Sequence, residues 1–123
     1  MAMTPQDSVE TFIAAWSRSD MDAVYAMMAG DIVWDNVPMG PAHGIDGCKA
    51  VMAQFPPVEA IEFVVHAIAA NGNTVLTERT DRFLIGGRWR SIRVMGSFEV
   101  NAAGRIQTWR DYFDLAEFQR EFG

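Results

Sequence analysis

The chain contains the run Val75-Leu76-Thr77-Glu78-Arg79-Thr80-Asp81-Arg82-Phe83, which has the alternation of a β-strand. Because successive side chains of a strand point to opposite faces, one face of this predicted strand carries Val75, Arg79, Asp81 and Phe83. Val75 and Phe83 direct that face towards a core. A guanidinium and a carboxylate therefore enter an apolar region, where charged groups are rarely buried unless they are paired or functional.

A second predicted strand, at residues 106–113, has the same character. Its alternation groups Asp111 with the aromatic residues Trp109 and Phe113. Two carboxylates beside one guanidinium predict a hydrogen-bonded Asp-Arg-Asp unit whose acids differ in proton affinity, as acid and base catalysis requires. From alternation alone, a purely structural network of buried ion pairs is an equally good interpretation.

Length and composition limit the classes of protein. The 123 residues predict a single domain, residues 1–123, that is large enough to enclose a small pocket. The net charge is −6 and no basic cluster is present, so we expect no nucleic-acid partner. No apolar run approaches the ~20 residues of a membrane helix, and we expect no membrane partner. Residues 1–5 lack the features of an export signal and Cys48 is the single cysteine, which together predict a cytoplasmic protein.

The histidines and the cysteine show no pattern of metal ligands. His43 lies in a segment rich in proline and glycine and His66 in a predicted strand, without another histidine or cysteine at ligand spacing. Cys48 lies on the apolar stripe of a predicted helix and has no activating neighbour in the sequence. We therefore predict no metal site and an inert core thiol.

Two helices are predicted at the start of the chain. The first has Thr4 as its cap and ends near Arg18, with apolar residues at helical spacing between them. The second follows the cap residue Asp20, carries Met28 on its apolar stripe and is expected to end at Gly30.

Sheet and helix then alternate in the prediction. A strand over residues 32–37 is followed by a loop at residues 38–41 and by a third helix from Gly44 to Phe55, which ends because prolines follow it. Asp114 is expected to cap a final helical turn. Turn signals separate four long strands, predicted near residues 59–70, 73–85, 88–100 and 104–113.

This order predicts an α+β domain with the helices packed on one face of a strongly curved sheet that leaves a pocket. The strand near residues 88–100 has an apolar even face and an odd face that mixes charge with Met95, and from that outer face we predict a homodimer. Residues on the inner faces and on the first helix are assigned to the pocket walls: Ile13, Trp16, Phe83, Ile92, Val94 and Phe113.

Three blocks of the sequence resemble the limonene-1,2-epoxide hydrolase family: Trp34-Asp35-Asn36-Val37-Pro38 with Pro41-Ala42-His43-Gly44, Thr77-Glu78-Arg79-Thr80-Asp81, and Trp109-Arg110-Asp111-Tyr112-Phe113-Asp114. They occur in the family's order and at nearly its spacing, and the likeness extends over nearly the whole chain. The resemblance implies a cone-shaped mixed sheet of the nuclear-transport-factor-2-like kind, with helices inside its curve. It also implies a dimer that uses no metal and no cofactor.

The resemblance further implies a role for each residue. Asp111 would deprotonate a water, Asp81 would protonate the epoxide oxygen and Arg79 would bridge their carboxylates, while Asn36 would hold the water. Where the family usually has tyrosine, this chain has Trp34, whose indole offers a donor and no acceptor. The indole can hold the water by donation, block the site or only reshape the pocket.

The expected function is therefore an epoxide hydrolase that converts a mostly hydrocarbon epoxide into a vicinal diol. Two alternatives remain at this point. An isomerase or cyclase of the same broad fold would need an oxyanion donor, and neither Tyr25 nor Tyr112 is well placed for that role. A non-catalytic binder would keep the pocket for a small hydrophobic ligand, and only conversion of the ligand separates it from the enzymes.

Overall fold

The computed structural model describes residues 3–123; Met1 and Ala2, in the segment considered above for an export signal, lie outside it. Within that range the helices are α1 (Pro5–Ser17), α2 (Met21–Ala26), α3 (Gly44–Ala53) and α4 (Leu115–Phe122). The strands are β1 (Met28–Asn36), β2 (Gly40–His43), β3 (Ala60–Asn71), β4 (Thr74–Ile85), β5 (Arg88–Val100) and β6 (Ile106–Tyr112).

The six strands form one mixed sheet in the order β2-β1-β6-β5-β4-β3. β1 runs parallel to β6, and the other neighbouring strands are antiparallel. Register shifts at His66 of β3 and at Gln107 of β6 interrupt the pairing, and such irregularities bend a sheet. The sheet curves around α1, which contacts β3, β4 and β5. The predicted α+β class and its cone-shaped sheet are confirmed.

The turns between the long strands form where the sequence predicts them. Ile85 pairs with Arg88, so β4 and β5 are joined by Gly86 and Gly87 alone. Both glycines have a left-handed backbone, with φ of 60° and 73°, as a two-residue hairpin turn of type I′ requires. The four long strands lie within about two residues of their predicted positions.

The predicted second helix is too long. It ends at Ala26, and Met28 is the first residue of β1 instead of a member of the helical stripe. Met28 pairs with Ile106 of β6, whose backbone N–H donates to the carbonyl of Met27. This long-range pairing also places Gly30 inside β1, since tertiary contacts override a local helical pattern.

A strand that the sequence analysis missed, β2, begins inside the predicted loop at residues 38–41 and continues to His43. β2 pairs with β1, and Pro41 lies opposite Asp35. The prolines led to the prediction of a loop, because proline has no N–H to donate to a neighbouring strand. β2 is an edge strand, however, and on its open side there is no neighbouring strand in residues 3–123 to accept that hydrogen bond.

The core lies between α1 and the inner face of the sheet. Phe12 and Trp16 of α1 are almost fully buried and pack edge-on against Trp109 of β6. Cys48 of α3 is completely buried in the same cluster. None of the helices in residues 3–123 is long and apolar enough to cross a membrane.

Alternation along β4 and β5 follows the prediction. β4 buries Thr77, Arg79 and Asp81, and β5 buries Ile92 and Val94, while the residues between them are partly or fully exposed. Arg79 and Asp81 of β4 therefore lie on the inner face of the sheet.

Candidate active site

The predicted Asp-Arg-Asp unit is present on the inner face. Nε of Arg79 donates to Oδ1 of Asp81 at 3.0 Å, and Nη2 donates to Oδ2 of the same carboxylate at 2.9 Å. Nη2 also donates to Oδ2 of Asp111 at 3.0 Å. The three residues are between 1% and 5% exposed. A single guanidinium thus joins two carboxylates that are 30 residues apart in the sequence and two strands apart in the sheet.

Further contacts of Arg79 compensate for the burial of its charge. Nη1 donates to the hydroxyl of Thr77 at 2.9 Å. The guanidinium carbon lies 5.5 Å from the ring centroid of Phe63 and 5.7 Å from that of Phe98, within the range of cation–π attraction. Every nitrogen of the guanidinium therefore has an acceptor, and its carbon lies over two aromatic rings.

Trp109 orients Asp111. Its indole N–H donates to Oδ1 of Asp111 at 2.8 Å, while Oδ2 of that carboxylate accepts from Arg79. The Trp109 ring is stacked between two others, with centroids 4.6 Å from Trp34 and 5.5 Å from Phe98. Because packing on both faces restrains the indole, the Asp111 carboxylate has a defined orientation.

Burial raises the pKa of Asp111 from 3.8 to about 6. The charge of Arg79 opposes this rise, the charge of Asp81 adds to it, and hydrogen bonds from Arg79 and Trp109 oppose it. Burial alone would lower the pKa of Arg79, but the charges of Asp111 and Asp81 raise it, so the guanidinium stays protonated. The site therefore holds a permanent cation beside a carboxyl group that titrates close to neutrality, where a general base is most effective.

A cavity opens beside the two carboxylates. It contains about 550 Å³ of space including its mouth. Predicted site residues that line it are Trp16, Trp34, Asn36, Asp81, Phe83, Ile92, Val94, Asp111 and Phe113. Lining residues that the sequence analysis did not assign to the pocket are Met39, Val51, Met52, Phe55, Phe63, Trp109, Phe118 and Phe122.

Two of the predicted site residues do not line the cavity. Ile13 of α1 is 6% exposed and packs in the core, because Trp16, one helical turn further on, covers the pocket side. Ile13 is therefore not among the residues that line the cavity beside the two acids. Arg79 also does not line the cavity; it contacts both carboxylates that do.

Asn36 lies beside Asp111 through the parallel pairing of β1 with β6, in which the two residues are direct partners. Trp34, two residues earlier, is the partner of Trp109. The indole N–H of Trp34 is buried and has no hydrogen-bond partner among residues 3–123. An unpaired buried donor is costly, so a ligand or water is the expected partner.

Thr77 and Trp109 are the polar groups of the site that the sequence analysis missed. Each lies two residues before a charged group of the unit and on the same face of its strand, so alternation contained a signal for both. Phe118 and Phe122 lie on α4, and no local pattern in the sequence predicts that this helix reaches the cavity. Within residues 3–123, no group of three or more potential metal ligands is clustered.

The sequence matches a known family. Residues 3–122 match the model of the limonene-1,2-epoxide hydrolase catalytic domain. Over 108 residues, covering 88% of this chain and 72% of the relative, the chain is 38% identical to epoxide hydrolase EphG of Mycobacterium tuberculosis.

Solved structures agree with this match. A structure of an LEH-like epoxide hydrolase from M. tuberculosis is 36% identical and has a TM-score of 0.80, covering 94% of this chain and 86% of that one. An NTF2-like protein of unknown function from Burkholderia pseudomallei, 23% identical, has a TM-score of 0.84 with 98% of both chains covered and supports the fold alone. With the family model spanning nearly every residue, this chain belongs to the limonene-1,2-epoxide hydrolase family.

Proposed function

We propose that this epoxide hydrolase adds water to an apolar epoxide in one step, with Asp111 as general base and Asp81 as general acid. The observation that carries the proposal is the arginine bridge: one buried guanidinium holds both carboxylates at the edge of one cavity. Two carboxylates at hydrogen-bonding distance from one nitrogen repel each other, so they favour a state in which the pair holds one proton.

In the proposed reaction, ionised Asp111 takes a proton from a water while the water oxygen attacks one ring carbon. The bond from that carbon to the epoxide oxygen breaks, and Asp81 gives its proton to that oxygen. The product is a vicinal diol, and one proton has passed from Asp81 to the substrate as another has passed from water to Asp111. Each positioned proton transfer is typically worth about 10²- to 10⁴-fold in rate.

Asn36 is proposed to hold the attacking water. Its pairing with Asp111 supports this role, because the amide and the carboxylate lie side by side on neighbouring strands and both line the cavity. Trp34 is proposed to donate its unpartnered indole N–H to the same water, in the position where the family usually has a tyrosine. An indole can supply the donor half of a tyrosine hydroxyl's hydrogen bonding.

The lining of the cavity supports an uncharged, apolar substrate. Most of the lining residues are aromatic or aliphatic, and none of those in the described chain carries a positive charge. If the epoxide carried a carboxylate, that carboxylate would lose its hydrating water in the cavity without gaining a positively charged partner, which is strongly unfavourable. A neutral hydrocarbon epoxide has no such penalty, and exclusion of water strengthens the electrostatics around it.

A matched pair of substrates tests both the activity and the specificity. We expect cyclohexene oxide to be converted to its diol, and a ring carboxylate of the same epoxide to be converted much more slowly. Asp81→Asn and Asp111→Asn are each expected to abolish most turnover while circular dichroism shows an unchanged fold. Full activity in either variant would contradict the roles, and retention of epoxides without any conversion would favour a binding protein.

Water enriched in ¹⁸O tests the one-step route. In a single turnover the label should enter the diol and leave both aspartates unlabelled, because water attacks directly. Label found by mass spectrometry in the peptide of Asp81 or Asp111 would show an ester intermediate and exclude the one-step mechanism.

We also propose a homodimer through the outer face of the sheet. Leu76, Met95 and Tyr112 lie on neighbouring strands of that face and are each about half exposed, and apolar exposure of this kind supports an interface. Sedimentation should give twice the 13.7 kDa chain mass. Met95→Glu should weaken association, whereas Met3→Glu, an equally exposed methionine outside the sheet, should not. A wild-type protein that sediments as a monomer would refute the dimer.

A further inference from the structure

Gly96 of β5 lies between the strands that carry the two acids. It pairs with Thr77 of β4 on one side and with Asp111 of β6 on the other. The side chains of both partners lie on the buried inner face, and Gly96 is buried on the same face. The position between the two acid-bearing strands is therefore occupied by a residue that has no side chain.

The space that a side chain would need at Gly96 is already filled. An added Cβ would overlap Nη1 of Arg79, and it would lie 2.8 Å from Oδ1 of Asp111 and 2.9 Å from Oγ1 of Thr77. All three distances are shorter than ordinary van der Waals contact, which begins at about 3.5 Å. The guanidinium thus crosses β5 directly above Gly96.

No requirement of the backbone explains this glycine. Gly72, Gly86 and Gly87 have the positive φ that favours glycine in turns, but Gly96 does not. Within a strand, glycine is disfavoured because it loses conformational freedom and has no side chain to pack, and it is typical of places where another group approaches closely. Here the approaching group is Arg79.

We propose that Gly96 and Thr77 are positioning residues for the acid pair: Gly96 leaves the slot through which the Arg79 guanidinium spans β5, and the Thr77 hydroxyl fixes the guanidinium in that slot. The effect on turnover rests on the function proposed above, whereas the effect on the two carboxyl groups does not.

Thr77 provides the acceptor for the third nitrogen of the guanidinium. Nε and Nη2 of Arg79 are used by the carboxylates, and Nη1 donates to the Thr77 hydroxyl, which lies 3.4 Å from the carbonyl oxygen of Gly96. If this anchor is lost, the guanidinium can turn about its own bonds and exchange its contact with Asp111 for a different one. The bridge therefore depends on the slot and on the anchor together.

The first test is Gly96→Ala, with Gly30→Ala as the matched control. Gly30 is also a strand glycine without a left-handed backbone, but an added Cβ there meets nothing within 4 Å. The carboxyl carbons of Asp81 and Asp111 are titrated by ¹³C NMR without substrate. We expect Gly96→Ala to raise the pKa of Asp111, because Arg79 no longer stabilises its charged form, and Gly30→Ala to leave the titration as in the wild type.

The same variants are compared in turnover. We expect Gly96→Ala to lower kcat about a hundredfold, the typical effect of an error of ~1 Å in placing a catalytic group. The acid limb of its pH–rate profile should move to higher pH by the same amount as the carboxyl titration, with KM little changed. A loss of turnover without any shift of the acid limb would indicate a purely structural effect and would overturn the proposal.

Thr77→Val and Thr77→Ser provide a second test that adds no bulk to the strand. Valine removes the acceptor of Nη1 and should shift the pH profile in the same direction as Gly96→Ala, whereas serine keeps the hydroxyl and should restore most of the wild-type profile. A folded Gly96→Ala protein with wild-type carboxyl titrations, or a Thr77→Val protein that titrates like the wild type, would refute the proposal. If the wild type converts no epoxide, the proposed function fails, but the NMR titrations still decide the roles of Gly96 and Thr77.

Discussion

The indole of Trp34 lies flat against the indole of Trp109, with ring centroids 4.6 Å apart and planes only 7° apart. The two tryptophans differ in how their N–H groups are used. Trp109 donates to Asp111, whereas the Trp34 donor is buried without a partner in residues 3–123. This pair thus contains one donor that orients Asp111 and one that has no acceptor among the described residues.

Substitutions of Trp34 distinguish the role of its indole N–H from the role of its aromatic ring. Trp34→Phe keeps an aromatic ring on Trp109 but removes the N–H, and we expect kcat to fall about tenfold, the worth of one hydrogen bond to a reacting group. Trp34→Tyr restores a donor and should retain or exceed wild-type activity. Steady-state kinetics on a neutral epoxide measures both variants. Equal activity of the phenylalanine and tyrosine variants would show that the N–H has no part in the reaction.

The pH dependence of the reaction should reflect Asp111. Its pKa is raised to about 6, and only the ionised carboxylate can accept a proton from water. We therefore expect kcat/KM to increase as the pH rises through about 6 and to fall again at higher pH, once the carboxyl pair has lost the proton that the epoxide oxygen must receive. The profile is to be measured from pH 4.5 to 8 on a neutral substrate. An acid limb centred near pH 4 would mean that burial does not raise the pKa of Asp111.

The same group should make stability depend on pH. Because the pKa of Asp111 is higher in the folded than in the unfolded chain, the folded protein binds more protons between these two pKa values. The stabilisation from the protonated form is fully present below pH 3.8 and is lost as the pH rises through about 6. Urea unfolding at several pH values measures it.

The control for that measurement is Asp111→Asn, which has no carboxyl group to titrate at this position. Subtracting its stability from that of the wild type at each pH removes the contributions of the other acids. The difference should fall across pH 4 to 6. A difference that stays constant over this range would contradict the assignment of the raised pKa to Asp111.

Helix α4 should control access to the cavity. Glu117 and Glu121 accept the backbone N–H groups of Arg93 and Ser91, at 2.8 and 3.0 Å, in the half of β5 that extends beyond its pairing with β6. Glu117 and Glu121 are four residues apart, which is about 6 Å along a helix, and Ser91 and Arg93 are two residues apart, which is about 6.7 Å along a strand. The two glutamates are therefore spaced to reach both backbone N–H groups. The helix is thereby fixed along β5, and it contributes two phenylalanines to the cavity.

Removing one of these contacts should loosen the helix. Glu117→Ala removes the acceptor of the Arg93 backbone N–H and also that of the exposed Arg93 guanidinium. Because the exposed ion pair contributes little, we expect KM for apolar epoxides to rise roughly fivefold, with a smaller change in kcat. Gln119→Ala, at an exposed position of the same helix whose side chain makes no hydrogen bond within the described residues, is the control and should keep the wild-type KM. If both variants behave alike, α4 does not depend on Glu117.

Cys48 should be chemically inert in the folded protein. It is completely buried, and burial raises the pKa of its thiol to about 11, so the reactive thiolate is scarce at neutral pH. A thiol reagent at pH 8 should label the unfolded chain rapidly and the native protein only at its rate of unfolding. Rapid labelling of the native protein would show that α3 opens locally.

Much of the fold is predictable from short-range patterns. Thr4 caps α1 as predicted, and Gly86-Gly87 forms the expected turn, because caps and turns depend on residues a few positions apart. The inward orientation of Arg79 and Asp81 likewise follows from the period of a strand. The predictions for the end of α2 and for the loop that contains the start of β2 were wrong. The end of α2 depends on the pairing of β1 with the distant strand β6, and β2 forms because the chain folds back onto β1.

The sequence by itself determined which side chains share a face: alternation in two strands predicted that Arg79, Asp81 and Asp111 point into the core, because the period of a strand is a local property. Only the tertiary structure decided what they meet there. The parallel pairing of β1 with β6 brings Asn36 beside Asp111, and the folding back of α4 brings Phe118 and Phe122 to the cavity. These contacts join residues far apart in the chain, and their geometry depends on how the curved sheet packs as a whole.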